Sequence, residues 1–483
     1  MKKTFQSKSQ RSNKALKNPN HKTLNSRIKF NSENKPTMSR NKTLKNSIGN
    51  SFIKDKSKPK IQNQTTSEKP EVIHHIQDND NNIKHQQADL DRLNKNKDTD
   101  PITQRLIKED KMLLFITLTQ RCNLNCGYCG NGSNEDIEDL ATHTPEVVYD
   151  INLIKKFQKV KDLAVCFYGG EPLMRINLIE QIIPLLPNAK FCLQTNGTLL
   201  KNLKPEIVRK FNTILVSIDG DEYTTDFNRG KGMYKLLIKH CKWLRETCQF
   251  KGDLIARMTC SGINDIYKSV THLLSLGLFD HVHWQLDAEW DSDMDARYTN
   301  DLAEGFVDWK DRIYNVGITN LMKDFIENLK KGKVLGIVPF LGLIKIFIKG
   351  EKVKRILCGS GSDAFNITTG GYINCCPIAP EFDPIDDLKK EDFDHTKLYD
   401  TELIAGFCKE CEILEKCGGR CLYANKDNWW GEEGRKHVCQ TVFHLVKTIE
   451  DNLDEIKNIV KDNPGLMEFI EYPKFNNSTE IIP

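Results

Sequence analysis

The sequence predicts an α/β fold for its central part: an incomplete barrel of six strand–helix units, a partial (βα)6 barrel, followed by a small cysteine-rich region. Three observations predict it. Six short β-rich apolar runs, at 113–119, 163–168, 190–194, 213–218, 254–260 and 281–286, alternate with amphipathic stretches such as 147–160, 176–186, 234–244 and 266–276. Such alternation calls for parallel strands joined by crossover helices. Glycines, cysteines and small polar residues gather just after the runs, where parallel α/β architectures bind ligands. From Cys358 onward the periodicity gives way to closely spaced cysteines.

At 483 residues the chain is too long for one ordinary core. Its start is not expected to belong to one. Residues 1–60 hold 17 Lys and Arg against 2 acids, a local +15 in a chain whose total is +4, so the remainder is net acidic. This Asn-, Ser- and Lys-rich segment has few aromatics and no sustained apolar period, and it cannot bury enough surface to offset its ordering entropy. Residues 1–100 are therefore read as a disordered basic arm. Its charge suits nucleic acid, a membrane surface or an acidic substrate, or simply a solvated tail. The expected divisions are the arm at 1–100, the barrel at 108–330, a connector at 331–357, the cysteine-rich domain at 358–440, and a C-terminal helix and tail at 441–483.

Sixteen cysteines raise the question of disulfides. Without an apolar signal segment, and with the cysteines in short-spaced groups, a reducing cytoplasmic setting and metal ligation are expected. No membrane span is expected. The apolar run 334–348 is too short, and Pro339, two glycines and Lys345 interrupt it.

Leaving the first strand, Cys122-x3-Cys126-x2-Cys129 can ligate three irons of an iron–sulfur cube and leave the fourth open, as a catalytic site requires. A zinc site would want a fourth ligand, and none follows nearby. The second strand leads into Gly169-Gly170-Glu171-Pro172, where two glycines let backbone approach a ligand and the carboxylate can accept from an ammonium group. A glycine turn before a helix-starting proline is the simpler explanation. The third strand ends in Thr195-Asn196-Gly197-Thr198, which reads as a turn and cap. The fourth ends in Ser217, Asp219 and Gly220, with Arg229 downstream. Hydroxyl and carboxylate groups there suit a ribose, and Arg suits a carboxylate gripped by two bonds.

The spacing of Cys122, Cys126 and Cys129, with Tyr128 before the last cysteine, resembles the signature of the radical S-adenosylmethionine (SAM) superfamily. The GGEP sequence resembles a motif of the same superfamily, and the SxDG-plus-Arg pattern resembles that of its peptide-modifying members. The resemblance implies a 4Fe-4S cluster on the three cysteines, with the amine and carboxylate of SAM at the open iron. It further implies SAM contacts by Tyr128, Gly169, Gly170, Glu171, Ser217, Asp219 and Arg229, and by the backbone of Leu286.

Beyond the barrel run Cys358, a Gly370-Gly371 turn before Cys375-Cys376-Pro377, then Cys408-x2-Cys411-x5-Cys417-x3-Cys421, and finally Cys439. Alone, the four-cysteine group also fits a zinc knuckle. The whole series resembles the seven-cysteine SPASM extension. That implies two auxiliary four-iron clusters, one on Cys408, Cys411, Cys417 and Cys439, the other on Cys358, Cys421 and the hairpin cysteine, for which Cys376 is favoured over Cys375. Cys166, Cys192 and Cys260 read as core residues, and neither Cys241, Cys248 nor the His74-His75 pair is given a role.

The resemblance implies reductive cleavage of SAM to methionine and a 5′-deoxyadenosyl radical that takes a hydrogen from a peptide or protein substrate, with an electron donor such as flavodoxin or ferredoxin. A specific rival is formylglycine formation, as in anaerobic sulfatase-maturing enzymes; the acid expected after their hairpin cysteine is missing here. A rival of another class is a non-catalytic iron–sulfur or zinc scaffold whose arm binds nucleic acid.

Overall fold

A computed structural model of the chain describes residues 101–129, 144–287, 295, 297–353, 355–378, 384–399, 406–427 and 430–471. All belong to one compact unit, His75–Pro483. The basic arm, residues 1–100, lies outside the described residues.

Six parallel strands form as the alternation predicts: β1 (Lys111–Thr117), β2 (Asp162–Tyr168), β3 (Lys190–Thr195), β4 (Phe211–Ser217), β5 (Asp253–Cys260) and β6 (His281–Leu286). They lie in sequence order within one sheet. Alternate residues serve two environments. Ile214 and Val216 of β4 and Leu254, Ala256 and Met258 of β5 join the main core under the helices, whereas Leu113, Phe115, Ala164, Cys166 and Cys192 form a separate cluster on the lumen face. This is the period-two pattern of strands covered on one side by crossover helices.

The crossovers include α1 (Ile176–Ile182), α2 (Glu222–Arg229), α3 (Met233–Glu246) and α4 (Ile266–Ser275). Asp221 and Asp265 cap α2 and α4, their side chains accepting from the N–H groups of Thr224 and Lys268. The amphipathic stretch at 147–160 is no α-helix: Ile151–Lys159 winds as 3-10 turns, burying Ile154 and Phe157. Further on, α5 (Asn315–Lys330) and α6 (Val338–Lys349) pack into the same core. The run 334–348, expected as a buried helix or connector, holds a buried helix, and Pro339 lies in its first turn.

The cysteine-rich region does not begin a separate sheet. Strand β7 (Ala364–Ile367) pairs in parallel with β1, on the edge opposite β2, and β8 (Tyr372–Asn374) and β9 (Asp386–Asp387) continue antiparallel, giving the order β6-β5-β4-β3-β2-β1-β7-β8-β9. The expected hairpin is β7–β8, with Gly371 at φ 84° in its turn. A boundary at 358 therefore cuts next to a sheet that runs through both regions. A boundary at 440 falls inside a helix, α7 (Gly431–Asp451), which carries Cys439. Among the described residues no helix is long and apolar enough to cross a membrane.

Candidate functional site

The cysteine loop leaves β1 at the carboxyl end of the sheet, and its neighbours hold it from two sides. On one side the β1–β2 pairing continues past the strands: Gly170 N–H donates to Thr119 O and Glu171 N–H to Arg121 O, each at 2.9 Å. A Cβ on Gly169 would stand 2.3 Å from Thr119 O, and one on Gly170 2.3 Å from Arg121 O. The close approach that demands these glycines is made by the cysteine loop's own backbone, where the sequence reading placed a ligand.

Glu171 is likewise turned inward. It is fully buried; Oε1 accepts from Leu173 N–H at 2.9 Å and Thr195 Oγ1 at 2.7 Å, and Oε2 accepts from Asn196 N–H at 2.7 Å. Burial pushes its carboxyl up to about 7 against the pull of those donors. This carboxylate ties the second strand end to the third. From there Asn196, read only as a cap, reaches the loop: its Nδ2 donates to Asn123 Oδ1 at 2.9 Å and lies 3.6 Å from Cys122 Sγ.

On the other side the loop is fastened to α2. Gly127 N–H donates to Asn228 O at 3.1 Å, and the Tyr128 hydroxyl donates to Asp219 Oδ2 at 2.9 Å. The Tyr128 ring lies 5.5 Å from the Arg229 guanidinium carbon. Arg229 grips Asp219 with Nε and Nη2, both at 2.8 Å, and Thr259 N–H adds a fourth bond to that carboxylate at 3.0 Å. The pair is buried, with side-chain exposures of 6% and 0%. The fork that the sequence reading gave to a ligand's carboxylate therefore holds Asp219, and Asp219 has its acceptors engaged by the chain itself. Ser217 lies half-buried at the end of β4, on the lumen face. Leu286 is a core residue, 5% exposed in the helix-facing cluster.

The three cysteines face one another electrostatically. Burial pushes the Cys126 thiol up to about 11, with Arg229 pulling the other way and Cys129 and Cys122 adding to the rise. Burial also raises Cys122, opposed by a hydrogen bond from Leu124 N–H at 3.4 Å. Metal ligation requires the thiolate form, so binding an iron there would release protons.

In the second cysteine field, Cys408, Cys411, Cys417, Cys421 and Cys439 line one cavity. Burial raises the Cys408 and Cys417 thiols, Cys417 to about 12, and Cys439 adds to the rise of both. The surroundings suit sulfur acceptors: Asn425 Nδ2 lies 3.0 Å from Cys408 Sγ, and Trp430, which lines the cavity, has a buried indole N–H with no partner among the described residues. Arg420 and Arg435 draw the Cys439 thiol down against burial. Elsewhere Cys421 packs with Cys376, Tyr423 and Ile378. Cys376 is buried and Cys375 half-buried, and just before them Asn374 is fully buried with neither end of its amide hydrogen-bonded. Cys358 Sγ sits 3.1 Å from Ser360 Oγ. Among the described residues no three Cys, His, Asp or Glu side chains converge on a single ion position.

Residues 116–254 match the model of the Radical SAM superfamily. The chain carries a radical SAM domain. Such a domain works with a 4Fe-4S cluster and SAM, and a partly exposed loop with three electrostatically coupled thiols fits that cluster. A probable GTP 3′,8-cyclase of Methanocella arvoryzae is 37% identical over 117 residues, 23% of this chain and 36% of its own. The radical SAM cyclopropyl synthase TigE of Paramaledivibacter caminithermalis is 29% identical over 151 residues, 27% and 32% of the two chains. The chain spans about a third of the length of the curated relatives it matches. The fold extends further: native anSMEcpe with bound AdoMet and Cp18Cys peptide superposes with a TM-score of 0.55 at 17% identity, covering 72% of this chain and 99% of that one.

Proposed function

We propose that this radical SAM enzyme modifies a peptide or protein substrate, with Cys122, Cys126 and Cys129 on the SAM-binding cluster and a SPASM-type second field holding two auxiliary clusters. The auxiliary ligands are Cys408, Cys411, Cys417 and Cys439 for one, and Cys358, Cys376 and Cys421 for the other. One observation carries the reading. The hairpin continues the barrel's sheet next to β1, so that Cys129 of the catalytic loop and Cys376 of the second field both lie within electrostatic reach of the same phenol, Tyr168. A substrate in the lumen would then lie between the two cysteine sites.

When bound, the cluster supplies the electron that cleaves SAM to methionine and a hydrogen-abstracting radical. The chain's own contribution is position and exclusion of water. The Asp219–Arg229 pair and the Gly169–Glu171 backbone fix the cysteine loop; Ser217 presents a hydroxyl at the lumen, and the apolar lumen cluster floors it. Cleavage is tested by incubating anaerobically reconstituted protein with dithionite and SAM and measuring 5′-deoxyadenosine. Wild type should release it, and Ala at Cys122, Cys126 or Cys129 should abolish release. Deuterium passing from a labelled peptide into 5′-deoxyadenosine would support the peptide reading. No release from protein with intact clusters, under any reductant, would replace enzyme by scaffold.

A further inference from the structure

The lumen holds a guanidinium that no described residue pairs with. Arg257 lies on β5 between Ser217 of β4 and His283 of β6 in the strand register. Its neighbours Ala256 and Met258 belong to the helix-facing core, which places Arg257 on the opposite, lumen face. Its Nε is buried without a hydrogen-bond partner. The charge is felt across the barrel, drawing the Tyr168 phenol and the Cys166 thiol of β2 down against the rise that burial imposes. From β3, whose Phe191 and Leu193 face the helices, Gln194 brings a second buried polar atom with no partner, its Oε1.

Among the described residues, two carboxylates on these strands and their ends are committed. Asp219 holds Arg229, and Asp253, at the far end of β5, bonds His281 Nδ1 at 2.8 Å. A cation beside apolar walls, with one donor already cut off from water, favours an anion that can meet a planar fork with two oxygens. We propose that Arg257 grips a carboxylate inside the barrel. The carboxylate comes from the methionyl end of SAM or from the substrate; the second source rests on the peptide-modifying reading.

The test uses the full-length reconstituted protein, with Arg257→Gln and, to keep the charge while losing the fork, Arg257→Lys. Calorimetry measures the affinity for SAM and for decarboxylated SAM. Melting curves with saturating SAM measure stabilisation by glutarate against chloride at equal ionic strength. If SAM supplies the carboxylate, Arg257→Gln weakens SAM at least tenfold, Arg257→Lys less, and neither changes the affinity for decarboxylated SAM. If the substrate supplies it, SAM affinity is unchanged, and glutarate raises the melting temperature of wild type but not of Arg257→Gln. Equal SAM affinity together with an equal glutarate response in wild type and Arg257→Gln overturns the proposal. A wild type that binds no SAM would refute the radical SAM reading instead, and the glutarate comparison would still decide Arg257.

Discussion

Replacing Asp219 by Ala should loosen the cysteine loop and α2 together. The substitution strands a guanidinium of 6% side-chain exposure that had two bonds of 2.8 Å, and it also removes the acceptor of the Tyr128 hydroxyl and of Thr259 N–H. Breaking a buried ion pair by removing one partner costs about 3–5 kcal/mol, most of it the desolvated charge left behind. At roughly 1.4 kcal/mol per decade, that predicts a loss of about two to three and a half orders of magnitude in local protection. Hydrogen–deuterium exchange of the cluster-free chain reads it directly, in peptides spanning 122–129 and 217–230, with peptides from β6 as an internal reference. Adding Arg229→Met removes the stranded charge, so the double variant should recover about 1–2 kcal/mol relative to Asp219→Ala alone. The reasoning is refuted if Asp219→Ala costs less than about 1 kcal/mol, as an exposed pair would, or if the two substitutions are simply additive.

Gly170→Ala should leave the far-ultraviolet circular dichroism of the fold intact but empty the first cluster site, because the new Cβ would meet Arg121 O at 2.3 Å and displace the cysteine loop. Full iron content with normal SAM cleavage would count against that account. Replacing Cys408 and Cys411 together by Ala should lower iron from about twelve to about eight per chain, and leave the SAM-binding cluster's electron paramagnetic resonance signal in place. Stoichiometric zinc with little iron in wild type would discard the auxiliary-cluster assignment.

By itself, the sequence determined the strands, their alternation with crossover segments and the short spacing of the cysteines, because these are local. Period-two and helical apolar patterns, and cysteine spacings of two to five residues, are written in neighbouring positions. The six strand runs fall within two residues of β1 to β6 at every end. The partners of side chains whose contacts are distant in sequence were decided only by tertiary structure. An isolated Arg or Glu looks ready for a ligand, yet Arg229 closes on Asp219, ten residues away, and Glu171 on Thr195 and Asn196, more than twenty away. Asn196 and Asn425 gained their place beside cysteine sulfurs only when separate segments met. Arg257 carried no motif at all; it stands out because, among the described residues, Asp219 and Asp253 take other partners and none pairs with it. The strand β7 beside β1, about 250 residues apart, is the same lesson at larger scale: a hydrogen-bonding edge has no sequence signature of the partner it will accept.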